Sequence, residues 1–377
     1  MDKAWYVVDN VANLDSPSLL VYKNRVAQNL QKMRNQVANV TYLMPHVKTN
    51  KMPAITQMML DLGIDKFKCA TIAEAEMIAR AGGKYILIAH QLVGPKMPRL
   101  ARLQEAYPEV FFASLIDNKD TLFELQKAFQ ERDKLGHIFL DVDNGMHRSG
   151  IAPGEALLAL YQLASEQANI KIYGLHVYDG HIRDNDFTLR KEKIQQDFSD
   201  IPHWVTQIKN RLADYLQEHS FMLIAGGSPA FTTHAQEEEV YCSPGTAVLW
   251  DWGYGDTLEE QDFDWAALVL SRIISKPKEG IITLDLGHKS VAAENPIDKR
   301  IRFLNLGTYE LKSQSEEHGV VQVPIDLWKQ LKVGQELYGV PYHVCPTVNL
   351  YDEAYVIADH RQQEVWEVLG RKRRIEI

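Results

Sequence analysis

The sequence predicts a (β/α)8 TIM-type barrel, an α/β fold, followed by a mainly antiparallel β domain. Between residues 42 and 242, short apolar runs alternate with stretches whose apolar residues recur at helical spacing. That is the pattern of a parallel sheet covered by helices. After Trp252-Gly-Tyr-Gly255 the texture changes to short strand-like runs separated by turns, which reads as antiparallel. A doubly wound sheet is the alternative for the first part, but no glycine-rich dinucleotide fingerprint follows the first strand.

The elements follow in order. A strand at 42–44 precedes a helix at 53–62, and 67–70 precedes 72–81. Strands at 85–90, 110–114 and 137–142 precede helices at 98–106, 119–130 and 153–167. A strand at 172–177 precedes one long helical stretch, 187–216, and strands at 222–225 and 240–242 close the series. Seven or eight such units fit an eightfold barrel. The later runs, 266–275, 280–286, 301–306, 320–323, 336–340 and 354–359, make the β domain. The barrel is assigned to 22–255 and the β domain to 256–377 together with 1–21. The strand at 18–21 joins the β domain because it precedes the barrel and has no helix of its own before Asn24.

The 377 residues are 45% hydrophobic and 24% charged, ordinary globular composition for one large and one smaller domain. A net charge of −9 and a pI near 5.8 argue against a nucleic-acid binder. The basic run Arg371-Lys-Arg-Arg374 reads as a solvated end. Three cysteines, Cys69, Cys242 and Cys345, make no disulfide framework and fit a reducing cytoplasm. The first residues lack the basic and apolar regions of a signal peptide, and no apolar run approaches the roughly 18 residues of a membrane span.

Barrel active sites lie at the C-terminal ends of the strands. The first strand runs into Met44-Pro45-His46-Val47-Lys48. A lysine at a strand mouth is costly to desolvate, so it has a counter-charge or a covalent task. Lysine amines form Schiff bases with carbonyl compounds, pyridoxal phosphate among them. Gly226-Gly227-Ser228 and Gly245-Thr246, after late strands, read as phosphate cradles or as turn glycines. A strand-end lysine beside both tilts the pair toward phosphate. Arg148 and Tyr178 are placed to touch a cofactor ring, by stacking and by a hydrogen bond. The competing role for Arg148 is an ion pair with Asp141 or Asp143. His181, in Tyr178-Asp-Gly-His181, is a candidate base or a structural histidine. His343 and Cys345 stand at i, i+2, and in an extended segment alternation puts both on one face. Imidazole plus thiolate favours zinc and leaves positions for water or substrate, whereas a buried structural cysteine is the alternative.

Taken together, these motifs resemble the fold-type III pyridoxal-phosphate enzymes. They are Pro45-His46-Val47-Lys48-Thr49-Asn50-Lys51, Tyr178-Asp-Gly-His181, Gly226-Gly227-Ser228-Pro229, Pro244-Gly245-Thr246 and His343-Val-Cys345-Pro346-Thr347. More narrowly, they resemble the D-threonine aldolase and D-serine dehydratase family, in order from residue 16 to about 360. The resemblance implies an alanine-racemase-type barrel with a C-terminal β domain. It implies that Lys48 holds pyridoxal 5'-phosphate, and that His343 and Cys345 bind a divalent metal, zinc or manganese, near the substrate hydroxyl. It also implies a homodimer. The chain departs from the family pattern at Asn50, where a second His is usual. The His-x-Cys pair is similar to the dehydratase side, and the following Thr347–Asp352 stretch to the aldolase side.

The expected activity is therefore a pyridoxal-phosphate- and metal-dependent D-3-hydroxy amino acid aldolase. It would split D-threonine into glycine and acetaldehyde, with His181 or a metal-bound hydroxide as base. The alternative at the same site is a D-serine or 3-hydroxyaspartate dehydratase. A non-catalytic pyridoxal-phosphate carrier would need neither the β domain nor the metal pair. A racemase lacks an evident second base opposite Lys48.

Overall fold

The computed structural model describes residues 3–377; residues 1 and 2, at the head of the 1–21 segment, lie outside the described residues. The chain opens with β1 (Ser18–Tyr22), α1 (Lys23–Asn35) and α2 (Pro53–Asp61). Strand–helix repeats follow: β2 (Lys66–Cys69) and α3 (Ile72–Arg80), then β3 (Tyr85–Gln91) and α4 (Lys96–Ala106). Next come β4 (Phe111–Ile116) and α5 (Lys119–Gln130), then β5 (Gly136–Val142) and α6 (Glu155–Ser165). After β6 (Ile170–Val177) stand α7 (Phe187–Phe198), α8 (Ile201–Arg211) and α9 (Ala213–Glu218). β7 (Met222–Ala225), α10 (Phe231–His234), β8 (Val240–Cys242) and α11 (Trp252–Thr257) complete the repeats.

Two compact units result. The first comprises Met33–Lys48, Pro53–Gly245 and Lys372–Ile377. In it β2 to β8 form a seven-stranded parallel sheet in sequential order. The segment 43–47 spans the gap from β8 back to β2. Leu43 bridges to Cys242 and His46 to Lys68. The Met44 N–H donates to the Cys242 carbonyl at 2.8 Å, and the Val47 N–H to the Lys68 carbonyl at 2.9 Å. The predicted eight-stranded barrel is thus seven strands and a closing segment. Pro45 explains the irregularity, because it has no N–H to give a ladder. The strand expected at 42–44 begins instead as a 3₁₀ turn, Val40–Tyr42, with the Asn39 side chain accepting from the Thr41 N–H.

Helix starts are set by short polar caps. Thr71 accepts from the Glu74 N–H at α3, Asn118 from Thr121 at α5 and Asp186 from Leu189 at α7. The single helix expected over 187–216 is three, and α8 restarts with Pro202 in its first turn, where a missing N–H costs nothing. Met44, Leu87, Leu115, Phe139 and Ile224 fill the ring as one apolar cluster. The ring is therefore a packed core, and the polar chemistry is left to the strand ends.

The second unit comprises the chain up to Lys32, Thr49–Met52 and Thr246–Arg371. Its strands are β9 (Ala267–Lys278), β10 (Ile281–Leu284), β11 (Ile301–Phe303), β12 (Glu310–Gln314), β13 (Gly319–Gln322), β14 (Glu336–Pro341), β15 (Glu353–Ala358) and β16 (Arg361–Glu367). Short helices α12 (Ile325–Gln330) and α13 (Val344–Val348) flank β14. The strand order is β12-β13-β10-β9-β1-β15-β16, with β14 also on β9 and β11 on β14. Every pairing is antiparallel except β1 with β15. β1 does join this sheet, with Ser18 opposite Leu270. β12 and β16 were not expected. Both are edge strands of mostly polar residues, so no apolar alternation announces them.

Candidate active site

At the C-terminal ends of the parallel strands lies a cleft of about 440 Å³. The closing segment brings His46 and Lys48 to it, and β2 brings Lys68. Arg148 comes from the loop after β5, and His176 and Tyr178 from the end of β6. Among the described residues no Asp or Glu lines it, so the cleft suits an anion. His46 is buried and its Nδ1 accepts from the Lys48 N–H at 3.4 Å. Lys48 itself is half-buried.

Behind the cleft runs a buried chain of polar groups. Lys68, 3% exposed, donates from Nζ to Ser243 Oγ at 2.6 Å and stands 3.1 Å from His176 Nε2. His176 Nδ1 is 2.7 Å from Asp141 Oδ1. Asp141 Oδ2 accepts from Gln91 Nε2 at 2.9 Å and from Ser149 Oγ at 2.8 Å. With its Nδ1 proton on the carboxylate, His176 presents Nε2 as an acceptor to Lys68. Burial opposes a charged Asp141, yet the hydrogen bonds and charge of His176, with Gln91 and Ser149, hold it down at about 2. Burial lowers His176, and Lys68 adds to this. Burial first, then the charges of Lys48 and Arg148, bring Lys68 down to about 7 against the pull of Asp141 and Asp179.

Two basic groups approach the Tyr178 ring, with Lys68 Nζ 5.4 Å and the Arg148 guanidinium carbon 4.9 Å from its centroid. Arg148 therefore stacks on Tyr178, the residue with which the sequence pairs it at a cofactor ring. The competing ion pair is pre-empted, because Asp141 is engaged as above and Asp143 bonds His147 Nδ1 at 2.9 Å. Two glycines permit the ring's position. A Cβ on Gly180 would meet ring atoms at 2.3 Å, and one on Gly227 at 2.7 Å.

The loops expected to cradle phosphate do converge. The Ser243 N–H donates to the Gly226 carbonyl at 3.0 Å, and the Gly245 N–H to Ser228 Oγ at 3.2 Å. Gly226 has φ +71°, open to glycine at little cost. The basic side chains of Lys48, Lys68 and Arg148 line a cleft that fits an anionic carbonyl cofactor such as pyridoxal phosphate, and the glycine-serine loops adjoin it at the Tyr178 ring without lining it. His181 does not line the cleft; its Nε2 is 2.9 Å from Asp197 Oδ2 on α7. Nearby, His234 Nε2 and Asp179 Oδ2 form a buried pair at 2.6 Å.

The proposed metal pair lies in the β-domain unit and its local structure differs from expectation. His343 is extended (φ −129°, ψ 105°), but it caps α13, so Cys345 stands in a helical turn rather than a strand. Alternation therefore does not align the two. The helical turn does, and the side chains are hydrogen-bonded to each other. His343 Nδ1 is 2.7 Å from Glu294 Oε1. Burial works against its charged form, but Cys345, Asp251 and Glu294 outweigh that and carry it to about 9. Thr49 Oγ1 and Thr246 Oγ1 lie 3.2 and 3.6 Å from Cys345 Sγ. Among the described residues no three His, Cys, Asp or Glu side chains converge into a metal cage. His343 and Cys345 are thus two adjacent donors, with Glu294 on the imidazole Nδ1.

The sequence reading passed over Lys68, the His176–Asp141 pair, Glu294 and the Asp179–His234 pair. For Lys68 a signal existed: it is an ionisable residue flanked by the apolar Phe67 and Cys69 in a short parallel strand. Glu294 comes from a loop and His234 from the short α10, both far in sequence from their partners, and nothing local marks them.

The family model for the alanine racemase N-terminal domain matches residues 21–250. The model described as "Putative serine dehydratase domain" matches 266–357. A D-threonine aldolase of Arthrobacter sp is 29% identical over 376 residues, covering 96% of this chain and 94% of that one. A 3-hydroxy-D-aspartate aldolase of Paracoccus denitrificans (strain Pd 1222) is 25% identical over 374 residues, covering 96% and 93%. The crystal structure of a D-threonine aldolase from Filomicrobium marinum superposes with a TM-score of 0.85 at 24% identity, covering 96% of each chain. That likeness carries the fold.

Proposed function

Since the chain belongs to the alanine racemase N-terminal domain family, we propose that it is a lyase, a pyridoxal-phosphate- and metal-dependent D-3-hydroxy amino acid aldolase. The expected reaction splits D-threonine into glycine and acetaldehyde. The observation that carries it is Lys48, at the end of the closing segment, in a basic cleft with no carboxylate among its described lining residues, in a chain similar to two relatives named aldolases.

Lys48 would hold the cofactor through its amine, with His46 behind its backbone. Gly226, Gly227, Ser228, Gly245 and Thr246 would receive the phosphate. Tyr178, fixed by its glycine neighbours, and the stacked Arg148 would orient the ring. When bound, the cofactor supplies an electron sink for the pair released as the Cα–Cβ bond breaks. His343 and Cys345 would hold zinc or manganese, with Glu294 fixing the imidazole. A divalent ion there supplies a Lewis acid for the substrate hydroxyl. His181 would have to leave Asp197 to act as a base. A cytoplasmic homodimer belongs to the same reading. No helix among the described residues is long and apolar enough to cross a membrane.

The second reading is a D-serine or 3-hydroxyaspartate dehydratase. It is favoured by the thiol at Cys345 and by the match over 266–357. One incubation separates the two: enzyme with pyridoxal phosphate, zinc or manganese, and D-threonine. Glycine with acetaldehyde supports the aldolase. 2-Oxobutyrate with ammonia replaces it with the dehydratase, and neither product, at any metal loading, rejects both.

A further inference from the structure

We propose that Lys68 is the acid–base amine of the cleft, taking up and returning the substrate proton while Lys48 is occupied in holding the cofactor. The choice of substrate rests on the aldolase reading; the geometry does not.

Lys68 lines the cleft from β2, and its surroundings fix both its position and its charge. As a neutral amine it has two N–H groups, one for Ser243 Oγ at 2.6 Å and one for His176 Nε2 at 3.1 Å. The lone pair is then free for a third direction. As an ammonium it points a third N–H the same way. Asp141, clamped by Gln91 and Ser149, holds the imidazole in the tautomer this requires.

Charged groups of both signs surround it, Lys48 and Arg148 against Asp141 and Asp179. From the closing segment come His46 and Lys48, and from β3 come His90 and Gln91. Arg148, after β5, opposes the ammonium, while Asp141 and Asp179 favour it. From β6 come His176 and the Tyr178 ring, and from the end of β8 and just beyond it come Cys242 and Ser243. Burial decides the outcome and leaves Lys68 at about 7. An acid–base group works best when it titrates near the operating pH, and desolvation beside other cations is an established way to activate a lysine.

The proton count closes on one residue. Neutral Lys68 removes the proton of the β-hydroxyl as the O–H bond breaks and the carbonyl of the aldehyde forms. The Cα–Cβ electron pair passes to Cα, and the ammonium returns the proton there as the new C–H bond of glycine. Lys68 begins and ends neutral, and no oxidant or reductant is consumed. His181, held by Asp197, is not required.

The first measurement needs no cofactor. In protein labelled with 13C at the lysine ε-carbons, one resonance should titrate near pH 7, vanish in Lys68→Met and move to lower pH in Asp141→Asn. The second uses holoenzyme. Borohydride should fix pyridoxal phosphate on Lys48 in wild type, Lys68→Met and Lys68→Arg alike. In both variants kcat for D-threonine should fall about 100-fold or more, with KM little changed and the limb of the pH profile near 7 gone. Failure of Lys68→Arg to rescue separates proton transfer from a need for charge alone, and it carries the test should Lys68→Met not fold. An ordinary lysine titration for Lys68 overturns the proposal. So do unchanged kcat and pH profile in variants that keep the cofactor on Lys48. Absence of trapping in the wild type rejects the aldolase reading instead, and the titration still decides for Lys68.

Discussion

Replacing Lys68 with Met should alter stability with a definite pH signature. An ordinary lysine titrates at 10.5, and Lys68 in the folded protein at about 7. That gap corresponds to about 5 kcal/mol, at roughly 1.4 kcal/mol for each tenfold change. Between pH 7 and 10.5 the unfolded chain holds a proton that the folded chain has released, so stability rises with pH across this window. Below pH 7 both states hold the proton and the full cost of the buried ammonium is present. Met removes that cost. It also leaves Ser243 and His176 Nε2 short of a partner, about 1–3 kcal/mol that does not vary with the charge of Lys68. The difference between variant and wild type should therefore swing by about 2.5 kcal/mol between pH 6.5 and 9, in favour of the wild type as pH rises. Urea unfolding followed by far-UV circular dichroism at pH 6.5, 7.5 and 9 measures it. A difference that is flat in pH, or that swings the other way, refutes the buried-lysine account.

Asp141→Asn should show a dependence of the same sign in a lower pH window. The carboxyl sits at about 2 when folded against 3.8 when unfolded, so its contribution of about 2 kcal/mol is present above pH 4 and lost as pH falls toward 2; thermal melts at pH 7 and pH 2.5 read it. Gly227→Ala would place a methyl 2.7 Å from the Tyr178 ring, and pyridoxal-phosphate affinity should weaken about tenfold or more, as read by absorbance titration. Glu294→Gln should loosen divalent metal by about 10–100-fold in equilibrium dialysis while leaving the pair His343 and Cys345 in place. Lys48→Ala should keep its circular dichroism spectrum but lose the visible absorbance of bound cofactor after dialysis.

Much of the fold is legible because periodicity reports burial. The parallel strands are continuous apolar runs, and these match β2 to β8 to within a few residues. What escapes is local chemistry that periodicity does not carry. The start of the barrel is irregular because of Pro45, and β12 and β16 hide because edge strands are polar. At the site, Lys48, Arg148, Tyr178 and the glycine loops could be found because strand ends and glycines are marked in the sequence. The Lys68–His176–Asp141 chain could not be assembled, since it joins β2, β6 and β5 through side chains 35 or more positions apart. The His343–Cys345 pair was found for a reason the structure corrects, since a helical turn rather than a strand brings the two together.

The segment that carries His46 and Lys48 is also the seam of the ring, joining β8 to β2 by a few hydrogen bonds around a proline. Occupancy and closure are then thermodynamically linked. Any ligand that engages Lys48 only when the seam is shut adds RT ln(1 + [L]/Kd) to the stability of that seam, about 2.7 kcal/mol at a hundredfold excess over Kd. The weakest joint of the barrel thus becomes the one most strengthened by use. Hydrogen exchange at the amides of Met44 and Val47 should slow on loading to a degree that the interior strands β4 and β5 do not share.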